Sequence, residues 1–285
     1  LLASGTAQWA RIATDLAEVQ RAFGRLAPGG ARRTGFATAA EVAEVSLQTM
    51  IEREPLTVLV SRMGWVRTLK GHQPLDADVK FKDGDGPRFQ FHAETTDRIV
   101  VVASSGRFYT LSAANLPGGR GMGEPLRLMI DLPNEAEVTD LLIHRAGERY
   151  LVASTDGDGF VVPADEVLAQ TRAGKQVLVL REGAKTALCR PVTGDHVAVV
   201  GDNRKMLVFP LSDLPEMARG KGLRLQRYKD GGLADAITVT LAQGLSWKDP
   251  AGRTRTEADL GEWVGARATA GRMAPRGFPR DNRFG

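Results

Sequence analysis

The stretch Val100-Val101-Val102-Ala103-Ser104-Ser105-Gly106-Arg107-Phe108-Tyr109-Thr110-Leu111 decides the fold. An apolar run enters a short polar turn at a glycine and leaves as a second strand, which is the pattern of a β-hairpin. The same unit recurs. Upstream it reads Val58-Leu59-Val60-Ser61 through Gly64 to Trp65-Val66-Arg67. Downstream it reads Leu151-Val152-Ala153-Ser154, then Gly157 and Gly159, then Phe160-Val161-Val162. A fourth copy is Val197-Ala198-Val199-Val200-Gly201, a turn at Asn203-Arg204, then Met206-Leu207-Val208-Phe209. A weaker fifth runs Ile237-Thr238-Val239-Thr240, Gly244, Leu245-Ser246-Trp247. The turns are about 40 to 50 residues apart, the period of a propeller-type blade. One hairpin buries a single face, whereas stacked blades make a continuous core. The reading is therefore an all-β, propeller-like disk of about five blades. A β-sandwich, the alternative, would not need such similar units.

Outward from the hairpins, a second element recurs. It is Leu116-Pro117-Gly118-Gly119-Arg120-Gly121-Met122-Gly123 after the second hairpin. After the third it is Val167-Leu168-Ala169-Gln170-Thr171-Arg172-Ala173-Gly174-Lys175, and after the fourth Leu214-Pro215-Glu216-Met217-Ala218-Arg219-Gly220-Lys221-Gly222. Aligning Gly121, Gly174 and Gly220 places a basic residue beside glycine once per blade. Glycine lets a main chain approach a ligand closely and present its N–H groups. Arginine and lysine add charge-assisted hydrogen bonds to phosphate. Repeated around a disk, such elements form a basic track suited to a bent duplex backbone and carrying little base specificity. Arg120, Arg172, Lys175, Arg219, Lys221 and, just after one motif, Arg224 are the candidate phosphate contacts. The bland alternative is that these glycines only punctuate turns.

Charge supports the track by its distribution. Net charge is only +4, but residues 172–229 hold twelve bases against five acids, while 76–97 are acid-rich. Upstream of the repeats, Trp9, Ile12, Leu16, Val19 and Phe23 form one apolar stripe on a helix of about six turns, with Gly24 suited to a left-handed cap. Residues 25–40 read as a Gly/Ala/Pro/Arg-rich linker, and 41–53 as a short helix or an extended arm. The chain opens at Leu1 inside the helical pattern and reads as a fragment. Cys189 is alone, which excludes an internal disulfide and fits a reducing cytosol. No apolar run reaches the ~18 residues of a membrane span.

Other residues carry little chemistry. His72, His92, His144 and His196 lack metal-ligand spacing. Asp156-Gly157-Asp158-Gly159 resembles a calcium loop but lacks its glutamate and reads as a hairpin turn. No phosphate-binding loop for ATP is present. Trp65, Phe108, Phe160, Phe209 and Trp247 sit in second strands as core residues. Tyr109, Tyr150 and Tyr228 lie in or beside strands, and none is assigned a chemical role. No set of acid, base and nucleophile converges, so no catalytic residue is assigned.

Four segments, EPLTVLVSRMGWVRTLKGH (54–72), LPGGRGMGEPL (116–126), TRAGKQVL (171–178) and FPLSDLPEMARGKG (209–222), resemble the C-terminal domains of the gyrase A/ParC family, in particular those of topoisomerase IV A subunits. The likeness is good over 54 to about 225 and fades beyond. It implies a β-pinwheel whose blades exchange strands, preceded by an α-helix and linker. It also implies a domain layout of 1–25 as a helix from the end of the breakage-reunion region, 26–53 as linker, 54–273 as pinwheel and 274–285 as a basic tail. The implied function is non-catalytic binding and bending of duplex DNA for strand passage in decatenation and relaxation, with chromosome segregation as its setting. The catalytic tyrosine would lie in the A-subunit core, and ATP and magnesium would be used in the parent complex with a ParE-like B subunit. The setting would be the cytoplasm, at the nucleoid. The gyrase box QRRGGKG is absent; Ala218-Arg219-Gly220-Lys221-Gly222 is nearest to it. A gyrase A pinwheel and a protein-interaction propeller stay open as alternatives.

Overall fold

The computed structural model describes residues 4–30, 52–76, 79–119, 121–249 and 251–285. The described residues fall into two compact units, one containing the N-terminal helix and the other everything from 52 onward. The first unit is α1 (Gly5–Phe23). Ser4 caps it by accepting from the Ala7 N–H, and Arg11 pairs with Asp15 one turn on. None of its residues is buried, and the stripe from Trp9 to Phe23 is exposed. Gly24 is not left-handed as the sequence suggested: its φ is −65°. Glycine suits the site because a Cβ would stand 2.1 Å from the Gln20 carbonyl oxygen. The linker expected over 26–53 lies mostly outside the described residues.

The second unit is built of hairpins that trade strands. The first blade is the hairpin β1 (Pro55–Ser61) and β2 (Trp65–Lys70), flanked by β3 (Pro87–Glu94) on β1 and by the two-residue β6 (Glu124–Pro125) on β2. The second hairpin, β4 (Arg98–Ala103) and β5 (Arg107–Ser112), is flanked by β7 (Val138–Ile143) and β10 (Lys175–Gln176). The third, β8 (Arg149–Ser154) and β9 (Asp158–Pro163), takes β11 (Thr186–Pro191) and β14 (Leu223–Arg224). The fourth, β12 (His196–Gly201) and β13 (Lys205–Pro210), takes β15 (Leu233–Val239) and β18 (Arg272–Met273). The fifth is the bare pair β16 (Leu245–Lys248) and β17 (Thr254–Glu257). The rule is uniform in the first four blades. Each first hairpin strand pairs with the strand closing its own unit. Each second strand pairs with a short strand sent back from the next unit, which covers an otherwise open edge. This is the all-β pinwheel expected from the sequence.

Successive blades share cores. Val58, Val60 and Val66 pack with Ile99, Val101 and Tyr109; Val100, Val102 and Phe108 pack with Tyr150, Val152 and Phe160. Leu151 and Ala153 meet Val197 and Val199, and Ala198 and Val200 meet Leu245 and Trp247. Alternate residues of one strand thus face opposite neighbours, so the central strands are apolar on both sides. No described cluster joins the first blade to the fifth. On the free side of the first blade, Lys82 Nζ lies 3.1 Å over the Trp65 ring. Of the five aromatic residues read as core, four are buried; Trp65 is half-buried beneath this lysine.

The hairpin turns superpose in pattern. Gly64, Gly106, Gly157, Arg204 and Gly252 each donate N–H to the carbonyl three residues back and each have φ between 60° and 83°. The fifth turn is therefore at Gly252, not Gly244 as the sequence suggested. Ile237–Val239 belongs to β15 of the fourth blade, and Leu245–Trp247 opens the fifth hairpin. The true second strand, Thr-Arg-Thr-Glu, is polar and almost fully exposed, so it carried no apolar signal. Residues 274–285, expected to be a basic tail, pack on the fourth and fifth blades through Phe278 and Phe284, which are buried.

Candidate nucleic-acid interface

After the second, third, fourth and fifth hairpins the chain runs back along the preceding blade. Thr68 N–H donates to Pro117 O, Val161 N–H to Pro215 O and Val208 N–H to Trp263 O. Each return segment then turns at a left-handed glycine and forms its short strand. Those glycines are Gly123, Gly174, Gly222 and Gly271. A Cβ on them would stand 2.2 Å from Val66 O, 2.7 Å from Phe108 O, 2.3 Å from Gly159 O and 2.3 Å from Met206 O, respectively. At these positions glycine is required by main chain meeting main chain at the strand exchange.

This register corrects the alignment drawn from sequence, which had set Gly121, Gly174 and Gly220 side by side. Arg120 and Arg219, each three residues before the glycine, do correspond, with Thr171 between them in blade order. Lys175 stands where Glu124, Leu223 and Arg272 stand. The basic character belongs to the return segments as bands, not to one repeated position. Counting bases against acids, segment 116–137 has two against four, 168–185 has four against one, and 214–232 has five against two.

The bands touch one another. Asp131 N–H donates to Arg172 O, Gly220 N–H to Val177 O, and Arg227 N–H to Thr269 O. The returns therefore form one continuous rim from the second unit to the fifth. Along it the candidate residues differ in freedom. Arg219 and Lys221 are exposed, with no side-chain hydrogen bond or ion pair among the described residues. Arg172 is exposed, donates to Leu128 O at 2.5 Å and lies 3.8 Å from Asp131. Lys175 bonds Glu166 through its carboxylate at 3.1 Å and its carbonyl at 2.5 Å. Arg224 is tied most firmly: it pairs with the buried Asp158 at 3.0 Å and also donates to Asp156 O. Arg181 reaches the same carboxylate at 2.7 Å. Arg120 lies outside the described residues.

Some rim cations escaped the motif search. Lys205, Arg227 and Lys229 line one cavity of about 380 Å³ with Asn203, Tyr228 and Ala270, and no acid lines it. None of the three makes an ion pair among the described residues. No glycine motif marks them, although they fall in the basic excess over 172–229. Tyr228 forms the floor, wedged against the turns; a Cβ on Gly157 or Gly201 would meet its ring at 2.4 or 2.7 Å. Burial pushes its hydroxyl pKa up, so it stays neutral.

The residues set aside in the sequence have structural partners. His72 and His92 stack at 4.5 Å, while His144 and His196 meet Asp165 and Asp195. Gly157 makes the hairpin turn, and the Asp158 carboxylate beside it is taken by Arg181 and Arg224. Burial raises the Cys189 thiol, with the Asp140 carboxylate adding to the shift. The hydroxyls of Tyr109 and Tyr150 donate to Asp131 O and Ile143 O. Among the described residues no cluster of potential metal ligands occurs, and no helix is long and apolar enough to cross a membrane.

A row of hairpins that trade two-residue strands through glycine crossings defines a β-pinwheel of the gyrase A C-terminal type. The family described as the DNA gyrase C-terminal domain, beta-propeller, matches residues 148–192 and 195–240, the third and fourth units. The solved ParC C-terminal domain of E. coli is 30% identical, with a TM-score of 0.69, covering 80% of this chain and 96% of that one. The DNA topoisomerase 4 A subunit of Caulobacter vibrioides is 43% identical over the whole of this chain. A C-terminal domain of DNA topoisomerase IV at 16% identity and a TM-score of 0.63 shares the fold. The chain belongs to the family of topoisomerase IV A-subunit (ParC) C-terminal domains. It spans 38% of the length of the Caulobacter relative.

Proposed function

We propose that this domain binds and bends duplex DNA through the rim, and presents it for strand passage during decatenation and relaxation by a topoisomerase IV. The observation that carries the reading is the continuous band of return segments, on which Arg219 and Lys221 are exposed without internal partners among the described residues. Cations with no carboxylate to leave can meet phosphates without breaking an existing pair. Arg120, Arg172, Lys175 and Arg224 extend the track, Arg224 with the least freedom because Asp158 holds it. The fragment would do no chemistry. Breakage would belong to the A-subunit core, and ATP hydrolysis with magnesium to a ParE-like B subunit. The working place would be the cytoplasm, on the nucleoid. The domain layout is 1–25 as a helix docking on that core, 26–53 as linker and 54–273 as pinwheel, with 274–285 carrying basic charge.

The test is a titration of the chain with mixed-sequence duplex at several salt concentrations. A steep fall of affinity with salt is expected, because phosphate contacts release counterions. A flat response would favour the protein-interaction propeller instead. Without the gyrase box, ligating relaxed circles around the domain should trap little writhe. Strong supercoiling of fixed sign would point to a gyrase-like pinwheel.

A further inference from the structure

Four of the five hairpin turns place glycine in the left-handed position; the fourth turn places Arg204 there, at φ 60°. That conformation disfavours a residue with a Cβ, so the side chain needs a reason to be present. Its guanidinium donates to Phe278 O at 3.1 Å, Pro279 O at 2.9 Å and Asn282 Oδ1 at 3.2 Å. The Arg204 carbonyl accepts from Ala274 N–H at 2.8 Å. Beyond this latch, Phe278 meets Trp247 edge-on at 5.6 Å and Phe284 at 5.2 Å, and Phe284 N–H donates to Asp235 at 2.9 Å. Residues 274–285 are thus a strap fixed at both ends over the fourth and fifth blades.

The strap adds unpaired arginines, whereas Lys248 is the only cation of the fifth hairpin left unpaired among the described residues. On that hairpin Arg253 and Arg255 both turn to Asp249, at 3.1 and 3.2 Å. On the strap, Arg276 and Arg280 stand on either side of the latched carbonyls. Both are exposed and neither makes an ion pair among the described residues. Arg272, on the exchanged strand that leads into the strap, is exposed and unpaired as well.

We propose that the strap is the phosphate-binding element of the fifth blade. Arg276 and Arg280, with Arg272, take backbone phosphates of a duplex, and Arg204 is the positioning residue that fixes them to the disk. The proposal rests on the DNA-binding reading above. Its test uses the 285-residue chain, a mixed-sequence duplex and two variants, with thermal unfolding and hydrogen exchange over 274–285 followed in parallel. Arg276→Ala with Arg280→Ala removes charge and leaves the latch. The salt slope of log affinity should fall by about 0.9 for each phosphate no longer met, with unchanged unfolding temperature and exchange. Arg204→Gly keeps those charges and gives the turn its preferred residue. Exchange over the strap should rise, and the slope should fall as in the double variant. If the parent chain shows no salt-dependent duplex binding, the DNA reading itself fails. If it binds and the double variant keeps the full slope, the strap does not contact phosphate. If only Arg204→Gly behaves like the parent in both exchange and slope, the latch is overturned while the arginines stand.

Discussion

The second blade and the fifth differ in how many neighbours they have. In β4, Ile99 to Ala103 are each at most 1% exposed, because alternate residues face the first and third blades. In β16, Leu245 and Trp247 are buried while Ser246 and Lys248 are exposed, and β17 is polar throughout. Same hairpin, same left-handed turn, yet opposite sequence textures. A strand with a blade on each face must be apolar on both, whereas the fifth hairpin needs apolar residues only toward its one neighbour. The strap adds Phe278 and Phe284 to that single interface, where no further strand pairs with β16 or β17 among the described residues.

The largest expected effect tests this contrast directly. Phe160 is fully buried between the second and third blades, so Phe160→Ala should cost about 3–5 kcal/mol in denaturant unfolding. Thr254→Ala on the exposed β17 should change stability by less than about 0.5 kcal/mol. Equal losses would mean that the end hairpin is packed as tightly as the middle of the array.

That contrast also explains what could be read from sequence. The four strong repeats were legible because two-sided burial writes continuous apolar runs such as Val100–Ala103. The fifth was misplaced because β17 has no apolar face to show. The exchanged strands were invisible as strands: two residues long, they carry no periodicity, and their partners lie in another unit. The candidate track was legible as basic segments but not residue by residue. Whether a cation is free depends on non-local partners, as with Arg224, held by an acid 66 positions away in Asp158. The motif glycines were read as places where main chain approaches a ligand; at Gly123, Gly174 and Gly222 it approaches the neighbouring blade's main chain instead.

Those glycines give the next effect. Gly174→Ala faces both a φ of 71° and a Cβ 2.7 Å from the Phe108 carbonyl oxygen. Gly252→Ala at the fifth turn faces only its φ of 76°, in open space. The open site should lose about 1 kcal/mol for the left-handed conformation alone. The crossing should lose about 1–3 kcal/mol more, since main chain has to move. Matched losses would show that the exchanged strand adapts freely.

Acid should separate the two regions with opposite signs. Backbone N–H donors led by Arg253, together with the arginine side chains, hold the Asp249 carboxyl down to about 2. A depressed carboxyl contributes stability above its unfolded pKa, near 4, and that contribution is lost as pH falls toward 2. Burial raises the carboxyls of Asp140 and Asp235 on the closing strands β7 and β15, so protonation favours their folded form. Hydrogen exchange between pH 4 and pH 2 should therefore rise in β16–β17 before it rises in β7 or β15. The reverse order would mean that the Asp249 turn does not hold the end hairpin.

The smallest effect on stability belongs to the rim, and there affinity is the informative quantity. Arg219 and Lys221 have no side-chain hydrogen bond or ion pair among the described residues, so Arg219→Ala with Lys221→Ala should leave unfolding unchanged within about 0.5 kcal/mol. If both meet phosphates, the salt slope should fall by about 0.9 for each, equally on unrelated sequences. Lys80 and Lys82 make the comparison fair, because they lie in the acid-rich stretch 76–97 at the opposite end of the array. Removing Lys82 also removes its contact over Trp65, worth about 0.5–1 kcal/mol, so this pair should cost more stability than the rim pair. Its salt slope should nonetheless stay whole, since the surrounding carboxylates repel a polyanion. Stability and affinity thus move oppositely in the two variants. A control pair that loses as much slope as Arg219 and Lys221 would place the duplex on the first blade and away from the rim.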